Sequence, residues 1–136
     1  MLKETPTMSR SDLIECFNAK IGEFARDLAT LFPDDSDIAA AKSGLAMSIL
    51  VDEAKPSRLF HKHVTVPHGE RLLAQDDEFF LTAHESEVAE DGGSAFGVSM
   101  IARLRAYWKE MTSDNRAVVW AYFKVLVMLS QRMHYN

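Results

Sequence analysis

The stretch DNRAVVWAYFKVLVMLSQRM, residues 114–133, decides the fold. Val118, Val119, Trp120, Tyr122, Phe123, Val125, Leu126, Val127, Met128 and Leu129 leave almost no polar face, and Lys124 is the one charge among them. The apolar run covers roughly 13 residues, well short of the ~20 that cross a bilayer. Several of these residues are β-branched, but the length and the cap offered by Thr112 or Ser113 favour a helix over a strand. A water-soluble helix that is apolar all round must be surrounded by others, with Lys124 reaching solvent along its stem. The segment therefore predicts an all-α, single-domain helical bundle of about five to seven helices, closed around a buried apolar C-terminal helix.

Working outward, helical periodicity recurs. Ile14, Phe17, Ile21, Phe24, Leu28 and Leu31 step by three and four, which places them on one stripe of a helix over 11–31. Ser9 or Ser11 can cap it, and Phe32-Pro33 ends it, because the residue before proline is pushed out of α geometry. The run Asp34-Asp35-Ser36-Asp37 supplies a turn and a cap for a second helix over 37–53, with Ile38, Ala41, Leu45 and Ile49 inward. Ala39, Ala40, Ala41, Ser43 and Gly44 would let a neighbouring helix approach it closely. Residues 57–64 predict a short helix, broken at Thr65-Val66-Pro67, with another from Pro67 to about residue 74. Asp76-Asp77-Glu78 reads as a helix start before Phe79-Phe80-Leu81, and 85–94, with Gly92-Gly93, as an exposed loop. Ser94 can cap a helix to about Met111, with Val98, Ile101, Leu104, Trp108 and Met111 inward. Residues 1–10 are expected to be a flexible segment and 11–136 one helical domain.

Composition narrows the function. The 136 residues carry a net charge of −5, which argues against a protein that grips a phosphate backbone over a broad basic surface. The one cysteine, Cys16, cannot form an intramolecular disulfide. Together with a polar start lacking a signal-peptide core, this makes the cytoplasm the expected location.

The residues that could carry chemistry are scattered. His61 and His63 diverge by about 200° on a helix, so they share a metal only if the chain there is extended. The acidic clusters at 34–37 and 76–78 sit where helices start, and the helix dipole explains them. No nucleophile elbow, phosphate loop or dinucleotide fingerprint is present. Accordingly no catalytic residue, cofactor ligand or metal ligand is assigned, and a non-enzymatic role is expected.

Two surfaces remain. Phe79, Phe80, Trp120 and Tyr122 exceed what a single inward stripe needs, and form a candidate surface for a partner protein or for self-association. Arg103, Arg105 and Lys109 form a candidate nucleic-acid face, the alternative reading.

The order of landmarks also resembles small helical proteins of unknown function encoded by large DNA viruses of algae and other protists. The residues concerned are Phe32-Pro33-Asp34-Asp35, Lys55-Pro56, Phe60, Asp77-Glu78-Phe79-Phe80-Leu81, Tyr107-Trp108 and the run Val119 through Leu126. The resemblance covers roughly residues 14 to 130 and carries over no catalytic residues. It implies a viral protein made in host cytoplasm and associated with the virion. The expected function is that of a protein–protein interaction or virion-associated module.

Overall fold

Side-chain caps set where the long helices begin. The computed structural model describes residues 9–81 and 96–134. Helix α1, Arg10–Leu31, opens on a capping box: Ser9 Oγ accepts from the Asp12 amide at 3.0 Å, and the Asp12 carboxylate accepts from the Ser9 amide at 3.4 Å. Two amides that a helix start leaves unpaired are thereby satisfied. Of the flexible segment expected over 1–10, only Ser9 and Arg10 are among the described residues, and both belong to this helix start. Helix α2, Ser36–Val51, is capped by Asp35, whose Oδ1 accepts from the amides of Asp37 at 2.9 Å and Ile38 at 3.2 Å.

The middle of the chain departs from the sequence reading. Helix α3, Lys55–Phe60, a π turn at His61–Thr65 and helix α4, Val66–Leu73, follow one another without a break. The expected interruption at Thr65-Val66-Pro67 is therefore absent. Proline has no N–H and its ring collides with the carbonyl four residues back, which in a regular helix would be that of His63. The π turn widens the register, so that the Val66 amide donates to the His61 carbonyl, and the chain passes Pro67 while remaining helical. Helix α4 stops at Gln75, a non-glycine residue at φ 56°, where the Asp76 amide closes back on the Arg71 carbonyl at 3.1 Å.

A short helix, α5, Glu78–Leu81, follows, then α6, Phe96–Tyr107, continued by a 3₁₀ turn at Trp108–Glu110. Helix α7, Ser113–His134, closes the described chain. Thr112 caps it, its Oγ1 accepting from the Asn115 amide at 3.1 Å. The loop expected over 85–94 lies outside the described residues. Among the described residues there is no strand, and no helix is long and apolar enough to cross a membrane. The chain is an all-α bundle.

The core sits between α1, α7, the 55–73 run and α6. Phe17, Ile21, Phe24 and Leu28 of α1 meet Val119, Trp120, Phe123, Leu126 and Val127 of α7, all buried. Wrapping of α7 is not complete, however. Val118, Val125 and Met128 are 42%, 37% and 47% exposed, so one side of this apolar helix faces outward. Lys124 is exposed, as its long stem suggested.

Candidate functional site

The aromatic residues expected at a partner surface are inside the protein. Phe79, Phe80 and Trp120 are buried. Phe80 is the hub: its ring stacks on Trp108 at 4.4 Å and meets Phe79 edge-on at 5.0 Å, Trp120 at 5.3 Å and Phe123 at 5.9 Å. The surplus of aromatics has a packing cause. Two adjacent phenylalanines on a one-turn helix both point inward because α6 and α7 close over that turn from different sides.

Tyr122 is half-buried. Its ring stacks on Phe24 at 4.7 Å, and its hydroxyl donates to the Asp27 carboxylate of α1. Burial, reinforced by that carboxylate, pushes the phenol up to about 12. A raised folded pKa contributes stability that is complete below the ordinary value of 10.0 and is lost as pH rises through about 12. Absorbance titration at 295 nm should show a late component, near pH 12, that is lost in Tyr122→Phe. Tyr122→Phe should remove the corresponding loss of stability between those two pH values.

The candidate nucleic-acid face is not one face. Arg103 and Arg105 lie about 200° apart on α6. Arg103 turns to α2, where its Nε and Nη2 lie 3.0 and 2.9 Å from Asp35 Oδ2. Arg105 turns to α5, donating to the Phe79 carbonyl at 3.1 Å with its guanidinium 4.7 Å from the Phe79 ring. Of the three, Lys109 alone is exposed.

Long-range partners of Asp35 were invisible in the sequence. While Oδ1 caps α2, Oδ2 takes Arg103 and, at 2.5 Å, the Tyr107 hydroxyl. Tyr107 in turn stacks on Phe32 at 4.0 Å. Desolvation pushes this carboxyl up, but the bonds from Tyr107, the Ile38 amide and Arg103, with the charge of Arg103, outweigh it and hold the pKa below its usual value. The side chain is 4% exposed, so the arrangement latches α2 to α6 and offers little to a ligand.

A second polar knot lies on the π turn. Ser130 of α7 is fully buried, with its hydroxyl 2.8 Å from Thr65 Oγ1 and 3.0 Å from His61 Nδ1. The His61 ring stacks on His134 at 4.2 Å. Burial lowers the pKa of both histidines, and for His134 the neighbouring His61 and Arg10 lower it further. A serine beside a histidine invites comparison with a nucleophile and its base. This hydroxyl is sealed from solvent and divided between two neighbours, which fits a satisfied helix–helix contact. Among the described residues, no group of three or more His, Cys, Asp or Glu is arranged to hold a metal ion.

What the fold leaves open is α2. Ile38 and Leu45 are buried, yet Met47, Leu50 and Val51 are 60%, 80% and 81% exposed. The helix has only two charges, Asp37 and Lys42. Ala40, Ser43, Gly44, Met47 and Leu50 recur at helical spacing on its outward side, all exposed. A Cβ built on Gly44 would meet nothing within 4 Å. Along the seam with α1 runs a groove of about 430 Å³, walled by Ala19, Gly22 and Ala25 on one side and Leu45, Ala46 and Ile49 on the other. Glu23, Arg26 and Lys42 stand on its rim. Asn18 ties the groove's end to the α2–α3 connection by donating to the Glu53 carbonyl at 2.9 Å. The sequence hint was available: small residues at 39–44 followed by large apolar ones, with no charge after Lys42 to mark a solvent face.

Compared with models of known protein families, with curated proteins and with solved structures, the chain gives no match.

Proposed function

We propose that the chain is a non-enzymatic interaction module that receives an amphipathic helix of a partner protein on the outward side of α2 and in the adjoining α1–α2 groove. One observation carries this reading: a surface helix whose exposed positions include Met47, Leu50 and Val51 and whose second half bears no charge. A helix with so little charge is normally enclosed, and this one is enclosed on one side only. Helix-in-groove recognition needs apolar anchors at helical spacing, small residues that admit a second backbone, and a polar rim that sets direction. Leu50 and Met47, then Ala40 and Gly44, then Glu23, Arg26 and Lys42 fill those roles. The polar groups that could have served chemistry are engaged inside the fold, at Asp35 and at Ser130, which favours binding over catalysis. The viral resemblance extends the reading to a virion-associated module whose partner is another viral protein made in the same cytoplasm.

The test uses Met47→Lys combined with Leu50→Asp. Both side chains lie largely in solvent, so stability should stay within about 0.5 kcal/mol of the parent. Affinity purification from cells that make the protein natively should recover a partner with the parent chain and lose it with the double variant. Equal recovery by both chains contradicts the proposal.

A further inference from the structure

Charge is unevenly placed along the α1–α2 groove. The two helices run antiparallel from the turn at 32–35, and the Asn18–Glu53 bond marks the far end. Arg26 on α1 and Lys42 on α2 stand on the rim nearer the turn, one from each wall. Asn18 and Ile49 line the other end, about 12 Å away along α1. Glu23, between the two ends, is already taken by Lys20 at 3.2 Å. Among the described residues neither Arg26 nor Lys42 has an ion-pair partner, and both are exposed. One turn either way along α2, Lys42 is flanked by Ile38, Ala39, Leu45 and Ala46, with no acid to answer it. A chain of net charge −5 thus keeps two unanswered cations at one end of an apolar groove.

We infer that the partner helix is acidic at one end, with carboxylates that meet Arg26 and Lys42 while its apolar side rests on Met47, Leu50 and the groove. This rests on the docking proposed for α2 and names the chemistry of the partner. Small residues on both walls, Ala19, Gly22 and Ala46 among them, admit the backbone of a second helix. The apolar surface continues from the groove over α2 to Met47 and Leu50, wider than one acyl chain covers and suited to a helix about 10 Å across. Cations at one end only fix which way the helix lies. A reversed helix would set its acids beside uncharged Asn18 and leave Arg26 and Lys42 unanswered. The rest of the surface, acidic on balance, repels such a helix, so the cationic end also steers the encounter.

The probe is a displayed library of helices about 18 residues long, with a fixed leucine–alanine stripe and random residues elsewhere, selected on the full chain. The parent should enrich Asp and Glu at one end of the helix. Arg26→Glu combined with Lys42→Glu should enrich Lys and Arg at that end instead. For the best parent-selected peptide, fluorescence anisotropy should show binding weakened about tenfold or more by the glutamate pair, and about threefold by Arg26→Gln with Lys42→Gln. Raising salt from about 50 to about 500 mM should shrink the difference between parent and glutamate variant. Circular dichroism of each variant establishes that it is folded. Peptides that need Met47 and Leu50 but bind parent and glutamate variant alike overturn this inference and leave the docking face standing. Peptides indifferent to Met47→Lys with Leu50→Asp, or no enriched helix at all, overturn both. Dodecanoate that displaces the peptide would assign the groove to an anionic lipid and also overturn the inference.

Discussion

Phe80→Ala is expected to lower the stability of the chain by about 3–5 kcal/mol, the range for truncating a fully buried phenylalanine. The ring is 1% exposed and touches four other aromatic rings, among them Trp108 and Trp120, which meet each other edge-on at 5.3 Å. Offset and edge-to-face pairs add about 0.5–1.5 kcal/mol each beyond burial, so the effect belongs near the top of the range. The neighbours are large, planar and already packed, which leaves them little freedom to collapse into the hole. With a net stability of roughly 5–15 kcal/mol, the loss would be a third or more of the total. Urea denaturation followed by tryptophan fluorescence should show a midpoint lower by about 2 M at unchanged slope. A shift near zero would mean that Phe80 serves as the surface residue its neighbours in sequence suggested, and that the core assignment is wrong.

Asp35→Ala is expected to cost about 2–4 kcal/mol. The change removes the cap of α2, and it strips an acceptor from Arg103 and from the Tyr107 hydroxyl. Because Arg103 is 33% exposed, water partly replaces its lost partner and keeps the cost below that of a fully buried pair. Asp35→Asn retains a side-chain oxygen for the cap and should lose about half as much. The pH dependence follows from the lowered folded pKa. A depressed carboxylate contributes stability that is complete above the unfolded value of 3.8 and is lost as pH falls through the folded one. Parent and Asp35→Ala should therefore differ most near neutrality and converge in acid. A constant difference down to the lowest pH would show that the latch is not electrostatic.

These two residues also mark how far sequence reasoning reached. The cap at Asp35 was legible, since a cap is local: an acid beside a turn, ahead of an apolar helix. Its partnership with Arg103 and Tyr107, 68 and 72 residues away, had no local signal. Inward stripes on α1 and α6 were readable because polar residues mark the outer side of each helix. On α2 the inward set was also readable: Ile38 and Leu45 are buried, and Ala41 and Ile49 pack against the core. On α7 that contrast is missing, so periodicity could not say which side would be covered and which left open. For the same reason Phe79 and Phe80 looked surplus: a one-turn helix is too short to display a stripe. The π turn escaped because Pro67 signals a break, and only the surrounding packing shows that a wider turn absorbs it.

The central claim is that the outward side of α2 is a protein-docking face, and in-cell photocrosslinking addresses it most directly. A benzophenone amino acid at position 47, in cells that make the protein natively, stands where the partner helix would lie. Placed at Glu15, on the exposed side of α1, it serves as a control. The expected result is a discrete adduct with one protein from position 47 and none from position 15. No adduct from position 47, or the same adducts from both positions, would contradict the account.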